Sequence, residues 1–395
     1  MSSSHLGVSS PSLGALRDRI SALKDKERSW KYCVPGAWRP VGKLFEKTEP
    51  KSFVQPYSFF LEHVNAIEMY RSPLVTDPSG SINSQLSTGT GGSWVEKEII
   101  YNLFVRLSTS FDHNQDGILG GSPKDISLNP EGIRESGTFL KSIALLGHIK
   151  NLGATTIHLL PVTTIGRDGN KGNLGSPYAI KNVYTLEPSL ADPLVEMSVE
   201  EQFKAFVEAC HMLGLRVICE FVFRTASKDA DWVKEHPEWF YWIDAKIQDR
   251  NPQDVGEETQ KLKYGNPVFS KEQLVSIKEK VSKCDFFGLP EPPVEYRRFF
   301  KLPPSKDKIK INEKGQYRGF SLDPENEEMV ETRIPGAFAD WPPDDTQPPW
   351  GDVTYLRMYL DENLEKPRFN YISYNTIRMY ETTFAKKELA NLGEF

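Results

Sequence analysis

FLKSIALLGHIKNLGATTIHLLPV at residues 139–162 and SVEEQFKAFVEACHMLGLRVICEFVF at residues 198–223 follow one plan: an amphipathic stretch, a glycine, then a short apolar run. The opening part of each, Phe139 to Asn151 and Ser198 to Leu213, has helical periodicity. Ser198 and Glu201 stand at capping-box spacing and mark the start of the second helix. Asn151-Leu152-Gly153 and Met212-Leu213-Gly214 put glycine where a left-handed C-terminal cap needs it. The runs that follow, Thr155 to Val162 and Arg216 to Phe223, are apolar on both faces, as buried parallel strands are, and Ile99 to Leu107 (IIYNLFVRL) is a third such run. Strand, helix, glycine, strand, repeated, predicts right-handed βαβ crossovers in a parallel sheet or a (β/α)8 barrel.

Outward from this core the pattern changes. Residues 1 to about 12 are Ser-rich and predict disorder, and Leu13, Leu16, Ile20 and Leu23 then predict a helix. Tyr57 to Tyr70 (YSFFLEHVNAIEMY) predicts another, and the Gly/Ser-rich DPSGSINSQLSTGTGGS that follows suits a linker, placing a boundary near Ser93. Asp244 to Trp350 is polar and Pro-rich, with one clear helix at Lys271 to Val281. Its aromatic segments CDFFGLP, YRRFFKLP and AFADWPP are too apolar for a disordered linker, so an inserted subdomain is expected. Helical periodicity resumes at Tyr374 to Ala390.

With 395 residues the chain far exceeds one small core. Its 48 basic against 54 acidic residues give −6, the wrong sign for a surface that binds nucleic acid along its length. Four scattered cysteines suggest neither a disulfide framework nor a structural zinc site. No apolar run is long enough to span a membrane, and MSSSHLGVSS is not a signal peptide, so a soluble cytoplasmic protein is expected. No Walker loop, GxGxxG, GxSxG or HExxH is present, which removes support for nucleotide, acyl-hydrolase and zinc-protease chemistry.

Four places carry candidate chemistry. In FDHNQDGIL, Asp112, Asn114 and Asp116 alternate before Gly117, the opening of a calcium loop, with the Ile118 carbonyl as a fourth donor. Position twelve is Pro123 and a strand precedes the loop, so it is no EF-hand, and an Asx-rich turn is the alternative. Glu220 lies within the apolar RVICEFVF, where an unpaired carboxylate is costly. It is either a rim group of a barrel strand or one half of an ion pair with Arg106, Arg216 or Arg224. His158 in TTIHLLPV reads as a hydrogen-bonded core histidine. Tyr178, on the loop GNLGSPYAIKNVY, can stack on a sugar face or merely pin the loop. Asp231 to Trp242 (DWVKEHPEWFYW) gathers more rings than a plain connection requires.

Together these elements resemble glycoside hydrolase family 13, the α-amylase family. FDHNQDGIL with Gly132-Ile133 is similar to that family's first βα loop, which binds calcium in several members; GATTIHLLPV resembles its second strand. SPYAIKNVY resembles its tyrosine-bearing loop, and VICEFVFRTAS its third-strand motif, usually Asp-x-Val-x-Asn-His. GSPYAI and DWVKEHPEWF are similar to the maltosyltransferases that use maltose 1-phosphate to extend α-1,4-glucan. The resemblance implies an α/β fold, strands one to three of a (β/α)8 TIM barrel, with a partly helical N-terminal extension (1–94), the first part of the barrel (95–243), an inserted subdomain (244–350) and a return to the barrel (351–395).

It also implies an α-glucan or maltooligosaccharide substrate bound through Tyr178, Glu220, Arg224 and His158, a calcium ion at Asp112, Asn114, Asp116 and Ile118, and no organic cofactor. Glu220 replaces the motif's Asp, Arg224 and Thr225 stand for Asn and His, and Gly120 stands where relatives often have Asp. The family's nucleophile, general acid and stabilising carboxylate follow strands four, five and seven. Those positions are expected beyond Phe395, in an incomplete chain that is inactive alone, the alternative being a non-catalytic scaffold that binds sugar or protein.

Overall fold

A computed structural model describes residues 10–25, 32–43, 49–70, 92–121, 128–170, 172–222, 225–251, 263–265, 270–283, 294–323, 326–337 and 349–356. Arg224, the Gly/Ser-rich stretch after Tyr70 up to Gly91, and the helix expected after Tyr374 lie outside them. The described elements, in chain order, are α1 (Pro11–Lys24), β1 (Tyr32–Pro35), β2 (Lys51–Val54), α2 (Pro56–Met69), β3 (Ile100–Leu103), α3 (Phe139–Asn151), β4 (Thr156–Leu159), β5 (Thr163–Ile165) and β6 (Ile180–Leu186). They continue with α4 (Val199–Met212), β7 (Arg216–Cys219), β8 (Thr225–Ser227), β9 (Trp242–Asp244), α5 (Lys271–Ser282), β10 (Phe300–Lys301), β11 (Lys310–Ile311), β12 (Tyr317–Leu322), β13 (Met329–Arg333) and β14 (Val353–Tyr355). They belong to two compact units, Met1–Val162 with Leu186–Glu220, and Thr163–Thr185 with Phe221–Phe395.

In the first unit β3, β4 and β7 make a parallel sheet in that order. Tyr101, Ile157 and Val217 are register partners, as are Leu103, Leu159 and Cys219, and these residues pack into the core shared with α3 and α4. Side chains alternate across a strand, so Asn102, His158 and Ile218, also register partners, take the opposite face. The helices begin and end where their sequences say. The Thr138 hydroxyl caps α3 by accepting Lys141 N–H at 3.2 Å, Ser198 and Glu201 form the expected capping box on α4, and Gly153 and Gly214 adopt φ of 82° and 68°. The strand expected to run to Leu107 stops at Leu103, because Val105–Ser108 turns into one helical turn.

The boundary expected near Ser93 does not separate two bodies. Leu13, Leu16, Ile20 and Leu23 of α1 and Phe60, Val64 and Ile67 of α2 are buried in the same core as α3 and α4. The Leu13 N–H donates to Glu208 on α4 at 2.8 Å. Gly147 explains how closely the extension sits on α3: a Cβ there would lie 2.2 Å from the Arg39 carbonyl oxygen. Larger residues would force the two apart.

One carboxylate ties the three parallel strands together at their N-terminal ends. Glu98, just before β3, accepts hydrogen bonds from the hydroxyls of Thr155 (2.6 Å) and Thr156 at the start of β4, and from Arg216 Nη1 (2.7 Å) at the start of β7. Burial pushes its carboxyl up, but the two hydroxyls and the guanidinium outweigh that and hold it below the usual carboxylate range.

The second unit holds an antiparallel sheet in the order β10-β9-β13-β12-β11, with Phe300 paired to Ile243, Thr332 to Asp244 and Phe320 to Glu331. Trp242, Phe240, Ile243, Phe299, Phe300 and Tyr296 fill its cores, so YRRFFKLP contributes to a sheet whose β9 begins before residue 244, while CDFFGLP and most of AFADWPP lie outside the described residues. Separately, β8 pairs with β14 and β5 with β6. Among the described residues no helix is long and apolar enough to cross a membrane.

Glu98→Gln should cost about 1.5–3 kcal/mol at neutral pH, the range for hydrogen bonds to a charged group in a half-buried network. The wild-type advantage comes from a folded-state pKa below the unfolded one. It is therefore complete above the unfolded value and shrinks as pH falls through the folded value. Urea denaturation of both proteins from pH 7 down to pH 3 measures this, and a pH-independent difference would contradict it.

Candidate functional site

The loop after β3 is organised from within. Asp112 Oδ1 accepts the N–H groups of Gln115 (2.6 Å) and Asp116 (3.2 Å), and Oδ2 that of Gly117 (2.9 Å). Asp116 Oδ1 accepts Ile118 N–H at 2.7 Å, and Asn114 Nδ2 donates to Asp116 and to Glu131, each at 3.0 Å. These are the Asx turns of the alternative reading. Among the described residues no group of three His, Cys, Asp or Glu side chains is placed to hold a metal ion.

Glu135, fully buried, anchors the loop: Oε1 accepts His113 N–H (2.8 Å) and Asn129 Nδ2 (3.2 Å), and Oε2 accepts Gly120 N–H (2.7 Å). Beside it the Lys141 ammonium, also fully buried, donates to the carbonyls of Ser136 (2.9 Å) and Arg134. Burial pulls Lys141 down to about 8, with Asp192 and Glu135 pulling the other way. His113 stacks on Tyr32 at 4.1 Å between centroids and binds the Cys33 carbonyl through Nδ1 at 2.7 Å. Burial first, then Lys141, push this imidazole down to about 2, so it stays neutral and serves to join the N-terminal extension to the loop.

At the carboxyl ends of the three strands a polar cluster forms. His158 Nδ1 lies 3.1 Å from Asn102 Oδ1, and His158 Nε2 lies 3.9 Å from Glu220 Oε2, with the His158 and Glu220 side chains 30% and 29% exposed. Glu220 directly follows β7, and its N–H donates to the Leu159 carbonyl, so the ladder continues one residue past the strand and aims this carboxylate at the rim. Of the arginines expected to compete for Glu220, Arg216 is bound to Glu98, and the Arg106 guanidinium sits 5.2 Å from the Phe104 ring centre. His158 is thus a half-exposed partner of Asn102 and Glu220, not a core histidine. Asn102 and Glu98 were missed by sequence reasoning; Asn102 is one polar residue within an apolar run and Glu98 the last of the charged Glu96-Lys97-Glu98 before it, and their partners lie more than fifty positions away.

Tyr178 belongs to the second unit. Its ring is 40% exposed, and its N–H donates to Ser176 Oγ at 3.2 Å. Gly175 shapes the turn before it, with φ of 70° and Asn170 Oδ1 only 2.8 Å from where a Cβ would be.

The first unit is therefore an α/β scaffold with polar side chains gathered at the carboxyl ends of parallel strands, where α/β folds assemble ligand sites. Residues 136–288 match the family model of glycogen debranching enzyme, glucanotransferase domain. The chain is 34% identical over 134 residues to an alpha-1,4-glucan:maltose-1-phosphate maltosyltransferase of Cereibacter sphaeroides, covering 30% of this chain and 21% of that protein. It is 28% identical over 164 residues to the enzyme of the same name from Mycolicibacterium smegmatis, covering 38% and 20%. An α-amylase structure from Lactobacillus plantarum aligns at 29% identity over 51% of this chain and 40% of that one, with a TM-score of 0.28. Over its matched part the chain is similar to enzymes of the α-amylase family, as its motifs implied. It spans about a fifth of the length of the curated relatives it matches.

Because Lys141 is lowered in the folded state, the unfolded chain binds a proton that the folded chain gives up between about pH 8 and the ordinary lysine value near 10.4. Wild-type stability relative to Lys141→Met should therefore rise across that window. Thermal denaturation of the pair at pH 7.5, 9 and 10.5 reads this, and a difference that falls with pH would contradict it.

Proposed function

We propose that these residues carry the opening βα units, strands one to three of a (β/α)8 barrel, of a cytoplasmic α-glucan-active enzyme of the α-amylase family. Transfer of α-1,4-glucosyl units is favoured over hydrolysis. The observation that carries this is the match of residues 136–288 to a glucanotransferase family model, beside relatives that are each named maltosyltransferase. Parallel order and register of β3, β4 and β7 support the barrel reading.

In this reading Glu220 and His158, braced by Asn102, hydrogen-bond glucan hydroxyls at the strand ends, and Tyr178 stacks on a glucosyl ring. Arg224 is a further candidate for glucan binding by its place in the third-strand motif. Their role is to bind and orient, and none is assigned as nucleophile or general acid, which in retaining enzymes are two carboxyl groups about 5–5.5 Å apart.

For the loop at Asp112, Asn114, Asp116 and Ile118 we propose weak calcium binding. Its donors are oxygens of the hard type calcium prefers, with Glu131 close by. Their present hydrogen bonds to loop N–H groups must be exchanged for the ion, which keeps affinity in the millimolar range.

Titration calorimetry with maltoheptaose tests the glucan reading: wild type should bind, and Glu220→Gln should bind about tenfold more weakly, the effect of one lost charged hydrogen bond. No binding by wild type would overturn it. In a separate titration calcium should bind wild type and not Asp112→Asn/Asp116→Asn, and heat from both proteins alike would refute the cation site.

A further inference from the structure

DWVKEHPEWF, whose rings exceed what a connection needs, folds into a braced aromatic row within the second unit. His236 stacks flat on Trp239, centroids 3.7 Å apart and planes 8° apart. Trp239 meets Trp232 edge to face at 5.5 Å, and Trp232 meets Tyr184 of β6 edge to face at 6.2 Å. Of the two inner rings Trp239 is buried and Trp232 half-buried, while Tyr184 at one end is 37% exposed and His236 at the other is 34% exposed. Rings fixed in this way lose little freedom when a ligand lands on them.

The Tyr184 end is set among polar groups. Its N–H donates to Asn182 Oδ1 at 2.8 Å, and Asn182 Nδ2 donates to Asp231 Oδ2 at 2.9 Å, so Asn182 spans from the ring's own backbone to the residue before Trp232. Tyr317, from β12, packs on the same aromatic cluster. Burial, then the carboxylates of Asp231, Asp229 and Glu235, push its phenol up, so the hydroxyl stays neutral.

We propose that Tyr184, held by Trp232 and flanked by Asn182 and Asp231, is an additional α-glucan subsite. This rests on the α-glucan reading above. A glucosyl unit offers an apolar C–H face to an aromatic ring and a rim of hydroxyl donors to carboxylate and amide oxygens, which is the pattern present here. An anionic ligand meets the wrong charge in Asp231. A cationic one matches the charge and the ring, and is the competing occupant that the test must separate.

Titration calorimetry would compare maltoheptaose binding to wild type, Tyr184→Ala, Tyr184→Phe and Glu220→Gln, each checked for an unchanged thermal transition, with tetramethylammonium as the cationic probe. The proposal expects Tyr184→Ala to lose about tenfold in affinity or one class of site, and Tyr184→Phe to stay within about threefold, because the ring and not its hydroxyl carries the contact. Wild-type binding that Tyr184→Ala leaves unchanged while Glu220→Gln weakens it would overturn this subsite and leave the glucan reading intact. Absence of any maltoheptaose binding would overturn both. Tetramethylammonium bound more tightly than maltoheptaose, and lost in Tyr184→Ala, would reassign the row to a cationic ligand and also overturn the proposal.

Discussion

A single carboxylate sets the alignment on which the candidate site depends. Glu98 reaches Thr155 and Thr156 at the start of one strand and Arg216 at the start of another, while its own chain continues into the third. Parallel strands have no hairpin to fix their register, so a contact that spans all three at one end constrains the other end as well. With β3, β4 and β7 four residues each, Asn102 and His158 pair directly, and Glu220 follows β7 by one residue. A slip of one position would move His158 to the helix-packed face and Leu159 toward the polar cluster.

The same economy explains the loop after β3. Its carboxylates are spent on backbone N–H groups, and Glu135 and Lys141, both buried, hold it from below through opposite charges that also serve neighbouring peptide groups. The N-terminal extension adds a third support through His113, whose burial keeps it neutral. Helices α1 and α2 are thus part of the body that presents the strand ends.

What the sequence made legible was local. The stripe Leu13, Leu16, Ile20 and Leu23, the Ser198–Glu201 capping box and the glycines after α3 and α4 each depend on neighbours within a turn or two, and all stand in the structure as read. The DxNxDG spacing was also legible, though its Asx turns use the oxygens differently from a coordinated ion. Illegible were contacts between distant positions: Glu98 with Arg216, Asn102 with His158, and the burial of α1 and α2 against α3 and α4 across a Gly/Ser-rich stretch that looks like a boundary. The five-stranded sheet was hidden for another reason. Its strands are short, two of them of two residues, and mix polar with aromatic residues, so no period-2 run stands out.

The central claim is that the register of three parallel strands gathers Asn102, His158 and Glu220 into one glucan-contacting cluster. Imidazole resonances of selectively labelled histidine, followed during a maltoheptaose titration, test it most directly, because the 7 histidines include one in the cluster and one, His113, locked in the interior. Saturable movement of the His158 signals, assigned by His158→Gln, with His113 unmoved, is the predicted result. A titration that saturates while the His158 signals stay in place would contradict the account.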